Sequence, residues 1–241
     1  MAAISIAAAA YALALPHAAR AEVAPADPID TAMQNCLARG DRSSTLGQVQ
    51  CVSEARDAWS AAIDAAQRSI DANAPAQLRH GWDESQRRWV EWRKDEALLV
   101  RAVFEQGSGT VRQMSEANIL LQSVRDRALG LRQAAASFAN EARAPQATSA
   151  PVDPSDKAEP RLPPCSADAA CEHAEFDLNR YYHALRDKLP APSRPALFRA
   201  QHAWFAYLNA TAPLGSETAR VDLIGARLAT LKHLAEALGN G

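Results

Sequence analysis

Residues 201–207 of this chain read QHAWFAY, and residues 86–92 read QRRWVEW. Both segments have the spacing Gln-x-x-Trp-x-x-aromatic, and the residues that carry it are Gln86, Trp89, Trp92, Gln201, Trp204 and Tyr207. Residues three apart are neighbours on the surface of a helix, so each triplet lies on one helix face. The repetition predicts two copies of one small helical unit.

The sequence around each of these segments has a helical period. Apolar residues recur at steps of three and four, which predicts three helices in each half, over residues 51–73, 76–104, 110–138, 171–189, 197–208 and 216–238. Residues 22–35 contain Pro25 and Pro28 and are predicted to be an extended arm, because proline opposes a helix interior. Residues 36–50 are predicted to be a loop or a broken short helix.

A composition shift divides the chain. Residues 144–164 hold six prolines among small and polar residues, which predicts a linker because such a segment can neither continue a helix nor bury a core. The predicted organisation is one helical unit over residues 22–143 and a second over 165–241. The predicted fold class is all-α, with two tandem disulfide-stapled three-helix bundles joined by the Pro-rich linker.

The beginning of the chain resembles a secretory signal peptide. Ile4 to Leu15 is an apolar run too short to span a bilayer, and Ala19-Arg20-Ala21 is a small-x-small cleavage site, which predicts removal of residues 1–21. Removal deletes one arginine and leaves 25 basic and 28 acidic residues, a net charge of −3. We therefore expect a periplasmic or secreted protein without a membrane span. The charge lacks the basic excess of a nucleic-acid binder.

Four cysteines in an exported chain favour disulfides, because the periplasm and the extracellular space are oxidising. Four cysteines allow three pairings. The pairing of nearest neighbours, Cys36 with Cys51 and Cys165 with Cys171, would place one disulfide in each half. A metal site is the competing interpretation, but the spacing is unlike that of paired C-x-x-C ligands and no histidine pair completes it.

The second half resembles the LprI-type lysozyme-inhibitor N-terminal family. The residues that carry this resemblance are Cys171, Asp177, Leu178, Asn179, Tyr182, Gln201, Trp204, Tyr207 and Arg227. The first half resembles a diverged copy, with Trp59 in place of the family asparagine, and its matching residues are Cys51, Asp57, Gln86, Trp89, Trp92, Arg93 and Arg127. The resemblance implies a helical protein that blocks a lysozyme by stoichiometric binding and needs no cofactor.

Two interpretations of these motif residues remain open. Trp89, Trp92, Trp204 and Tyr207 could form a recognition surface, but their helical spacing favours a place in the core, because large aromatics dominate core burial. Asp177 and Asn179 could contact a partner. The favoured alternative is that they join the first and third helices through Arg227, as buried polar groups require partners. By the same argument Asp57 would pair with Arg127.

Nothing in the sequence favours an enzyme. There is no H-E-x-x-H motif and no phosphate-binding glycine loop, and residues 107–109 lack the strand–turn–helix frame of a nucleophile elbow. We expect no catalytic residue, no metal ligand and no nucleic-acid partner. The predicted partner is a protein, and the alternatives to lysozyme inhibition are a non-inhibitory envelope scaffold and an immunity-like protein.

Overall fold

The computed structural model describes residues 26–105, 109–143 and 164–239. The predicted signal peptide, nearly all of the predicted linker and the first two residues of the 107–109 turn lie outside the described residues. The described chain forms seven α-helices, α1 Pro28–Leu37, α2 Thr45–Asn73, α3 Ala76–Phe104, α4 Thr110–Arg143, α5 Ala169–Lys188, α6 Arg194–Thr211 and α7 Glu217–Gly239. It contains no β-strand within these ranges, so the all-α prediction is confirmed.

The helix predicted to begin near Cys51 begins six residues earlier, at Thr45. The Ser44 hydroxyl accepts a hydrogen bond from the amide of Gly47 at 3.1 Å, which satisfies one of the unpaired amides of the first turn. A Cβ atom on residue 47 would lie 2.8 Å from Cα of Arg42, which is closer than van der Waals contact allows. The turn that contains Arg42 can therefore pack this closely against α2 because residue 47 is a glycine. This cap explains why the loop predicted over residues 36–50 is shorter.

The extended arm predicted over residues 22–35 is wrong for its second part, because Pro28–Leu37 is helical. Pro28 occupies the first turn, where its missing amide costs nothing. The carboxylate of Asp27 accepts a hydrogen bond from the Ile29 amide at 2.9 Å and caps the helix. Proline therefore marks the start of α1 rather than preventing it.

Two ion pairs hold α1 on the outside of the first half. Asp27 lies 2.7 Å from the guanidinium of Arg132, and Asp30 lies 2.7 Å from that of Arg125, both on α4. The same two guanidinium groups lie 4.8 and 5.6 Å from the ring centroid of the buried Trp59, Arg132 being the closer. The arginines thus bridge α1 to the core of the α2–α4 pair through cation–π contacts.

Each half carries one disulfide, in the nearest-neighbour pairing. Cys36 is bonded to Cys51 and Cys165 to Cys171, with Cα–Cα separations of 5.7 and 5.0 Å. Glu175 lies beside the second pair in a group that could otherwise suggest a metal site, but disulfide sulfurs are not available as thiolate ligands.

Removing the first disulfide should cost more stability than removing the second. The closed segments span 15 and 6 residues, and the chain-entropy model gives about 3 and 2 kcal/mol for such loops. We expect the double variant Cys36→Ala/Cys51→Ala to unfold at lower urea concentration than Cys165→Ala/Cys171→Ala. A larger loss for the second pair would show that its loop contributes through packing rather than through chain entropy.

The middle helices join the two halves. α2 packs against α4 and α5 against α7, whereas α3 packs mainly against α6 of the other half. The α3–α6 pair is antiparallel, since the hydroxyls of Ser85 and Thr211 are 2.7 Å apart while Asp95 lies 3.8 Å from Arg199. The buried apolar residues of both halves form one continuous core. The sequence predicts two stapled units but not this exchange of partners between them.

None of the described helices combines the length and the apolar character needed to cross a bilayer.

Candidate functional site

The two halves repeat one polar contact between their middle and third helices. In the first half, Nε of Arg127 on α4 donates to Oε1 of Gln86 on α3 at 3.0 Å. In the second half, Nε of Arg227 on α7 donates to Oε1 of Gln201 on α6, also at 3.0 Å. The glutamine of each Gln-x-x-Trp segment therefore anchors a buried arginine.

The aromatic residues that end the two segments stack on one another. The rings of Trp92 and Tyr207 are nearly parallel, with centroids 5.6 Å apart and an interplanar angle of 2°. The guanidinium of Arg127 lies 5.5 Å from the Tyr207 ring, and that of Arg227 lies 5.9 Å from the Trp92 ring. Each arginine thus bonds the glutamine of its own half and covers the aromatic ring of the other. These equivalent contacts support the tandem-copy interpretation, which stays a prediction.

The repetition breaks at one position. Arg227 also pairs with the carboxylate of Glu96 on α3 at 2.7 Å, and both side chains are buried. Glu96 stands ten residues after Gln86, and the residue ten after Gln201 is Thr211, which contacts Ser85 instead. Arg127 therefore has no carboxylate at the position equivalent to Glu96.

Arg127 is a buried cation without a counter-ion among the described residues. Only 5% of the Arg127 residue is exposed to solvent. Its Nη2 atom is buried and has no hydrogen-bond acceptor among the described residues. Burial lowers the pKa of Arg127, and the neighbouring Tyr207 hydroxyl opposes that shift. Leaving such a group unpaired is costly, so its place in the fold calls for an explanation.

Several of the predicted site residues pack in the core. Trp59, Trp89, Trp92, Trp204 and Tyr207 are all buried, so they do not form an exposed recognition surface. Leu178 is buried and Tyr182 half-buried, whereas Asn179 is exposed.

Arg93 bonds α3 to α4. Its Nη1 donates to the backbone oxygen of Leu120 and to the hydroxyl of Ser123, and its guanidinium lies 5.3 Å from the Trp89 ring. Burial lowers the pKa of Arg93 to about 10. This motif residue therefore has a structural contact of its own.

The predicted ion pairs between first and third helices do not form. Asp177 is paired with Arg180 on its own helix at 3.0 Å, and Asp57 is exposed. The arginines expected to receive them are turned towards the middle helices. The residue that sequence reasoning missed is Glu96, whose signal was its place as a charge within the apolar stripe of α3.

A groove of about 1,100 Å³ lies between α4 and α7, and Arg127, but not Arg227, is among the residues that line it. Its apolar lining includes Trp82, Ile119, Leu129, Phe138, Leu214 and Leu223, and its floor includes Arg127 and Tyr207. Three carboxylates line it, Asp126, Glu141 and Asp222, together with His233. Burial raises the pKa of Asp126, while Gln122 bonds its carboxylate at 2.6 Å. The described residues thus form an acidic-edged apolar groove with one cation at its floor.

Comparisons with known proteins match the chain to a family model and to a solved structure. The family model described as "Lysozyme inhibitor LprI" matches residues 36–131, which is the half whose motif is less complete. The crystal structure of an uncharacterized protein from Burkholderia thailandensis is 53% identical, covering 88% of this chain and 98% of that one, with a TM-score of 0.78. No curated protein matches the chain significantly.

Proposed function

We propose that this chain, whose residues 36–131 match the lysozyme inhibitor LprI family, is an exported protein that binds a lysozyme-type muramidase stoichiometrically and blocks its cleft. The activity is binding and not turnover, in keeping with a family described as inhibitors.

The observation that carries this proposal is the groove between α4 and α7. Its carboxylates Asp126, Glu141 and Asp222 outnumber its one arginine, so the groove attracts a cationic partner. Lysozymes are commonly cationic, and complementary charge raises the rate of encounter between proteins. The apolar walls then offer the area that a projecting side chain or loop of the partner would bury.

The scaffold around the groove is suited to binding without rearrangement. Each half is closed by a disulfide, and the floor of the groove is fixed by the Trp92–Tyr207 stack. A binding surface that is already ordered loses less entropy when its partner arrives. This rigidity supports inhibition by a preformed surface.

A peptidoglycan turnover assay with purified protein tests the proposal. We expect inhibition of a cationic lysozyme that saturates near one equivalent. The double variant Asp126→Asn/Asp222→Asn should inhibit with affinity weaker by about tenfold, because it removes two groove charges. The matched control Asp64→Asn/Asp71→Asn removes the same charge from exposed positions of α2 and should inhibit like the parent protein.

Two results would count against the proposal. An equal loss of affinity in both double variants would mean that net charge, and not the groove, governs binding. Absence of inhibition by the parent protein at roughly tens of micromolar would leave the envelope-scaffold and immunity-like alternatives.

A further inference from the structure

The unpaired Arg127 at the groove floor has a paired counterpart in the same molecule. Arg227 makes the same glutamine bond and the same contact with an aromatic ring, and it is completed by the carboxylate of Glu96 at 2.7 Å. Arg127 has the first two contacts and lacks the third. The chain therefore displays both the complete arrangement and one from which the carboxylate is missing.

No other acid near Arg127 takes the vacant role. Asp126, its neighbour in sequence, holds a hydrogen bond from Gln122 and interacts with Arg125. Glu96 is occupied by Arg227. The position equivalent to Glu96 is filled by Thr211, which also lines the groove. Arg127 and Thr211 both line this groove, so a ligand that binds there lies against both residues.

We propose that Arg127 forms a carboxylate-binding subsite at the floor of the α4–α7 groove, where a ligand carboxylate takes the place that Glu96 fills beside Arg227. A guanidinium is the side chain best matched to a carboxylate, because its parallel N–H groups donate to both oxygens. Pairing also removes the cost of a buried uncompensated charge. The subsite stands on this geometry alone and does not depend on which protein the groove binds.

The first test uses small carboxylates as the probe and the full-length mature protein. We expect sodium acetate at ~50 mM, compared with sodium chloride at equal ionic strength, to raise the melting temperature by about 2–4 °C for a site with a Kd of ~10 mM. The Nε–Hε signal of Arg127 in an NMR spectrum should shift at the same time. Absence of both responses would overturn the subsite.

Two variants supply the matched comparison. Thr211→Glu places a carboxylate at the position equivalent to Glu96, so it should raise the melting temperature by about 2–4 °C and abolish the acetate response. Thr230→Glu adds the same side chain elsewhere in the groove and should keep the response. An acetate response that survives in Thr211→Glu, or disappears equally in both variants, would contradict the assignment. These variants retain Arg127, so the test does not depend on a substitution that could unfold the protein.

The source of the carboxylate is decided by the inhibition assay described above. If an acidic side chain of the protein partner supplies it, Thr211→Glu should weaken inhibition by about tenfold or more while Thr230→Glu has less effect. If a free small carboxylate supplies it, inhibition stays unchanged and only the acetate response is lost. Loss of inhibition in the parent protein would overturn the proposed function and leave the acetate result untouched.

Discussion

Replacing Glu96 with glutamine should lower the free energy of unfolding by about 3–5 kcal/mol. Glu96 and Arg227 are both buried and their charged atoms are 2.7 Å apart, so removing one charge leaves the other uncompensated in the core. The measurement is urea denaturation followed by circular dichroism. Glu91→Gln on the exposed face of α3 breaks a surface pair with Arg88 and should cost less than about 1 kcal/mol.

A double substitution separates the charge effect from loss of packing. Glu96→Leu with Arg227→Met removes both charges and keeps apolar volume, so it should recover much of the lost stability. A double variant that is less stable than either single variant would show that the hydrogen bond to Gln201, rather than the ion pair, dominates. The ion pair would then be a minor contributor to joining the halves.

Replacing Trp92 with alanine should also cost about 3–5 kcal/mol, because a buried indole leaves a large cavity. The variant also removes the stacking contact with Tyr207 and the cation–π contact with Arg227. Both contacts join α3 to the second half of the chain. We expect weaker lysozyme inhibition and a diminished acetate response under conditions in which the variant remains folded.

Trp59→Ala is the control for this prediction. Trp59 is also buried, but its ring contacts Arg125 and Arg132, the arginines that pair with the α1 end of the chain. It takes no part in the Trp92–Tyr207 stack. We expect a similar stability loss by urea denaturation with binding retained. If both tryptophan variants lose binding in proportion to their stability, the α3–α6 contact has no special role in shaping the groove.

The helices are largely predictable because their apolar period is local information. All six predicted helices are present, and α3 begins directly after Pro75 as the sequence indicates. The errors lie where short-range chemistry competes with composition. Asp27 and Pro28 start helix α1 in a segment whose prolines predict an extended arm. Ser44 caps α2 and so places its start at Thr45, within the loop predicted over residues 36–50.

The candidate site is harder to predict from the sequence than the helices are, because it depends on contacts between segments that are distant in the chain. Helical spacing shows that Gln86, Trp89 and Trp92 share a face, but not that this face meets α6 of the other half. The sequence indicates that Arg127 and Arg227 are motif residues, but it predicts Asp57 and Asp177 as their partners, and neither pair forms. The acid that completes Arg227 was visible only as a charged residue in an apolar stripe. The groove requires α4 and α7 to lie side by side, which no local pattern specifies.

On the tandem-copy interpretation, the packing of α3 against α6 has an evolutionary consequence. A chain with a single unit of this kind would leave the aromatic end of its middle helix facing water. A second identical molecule presents the matching face, so two such chains would cover one another in a symmetric dimer. In the present chain both faces belong to one polypeptide. On the tandem-copy interpretation Glu96 and Thr211 stand at one ancestral position, and a homodimer of identical chains could not carry a different residue there on each side.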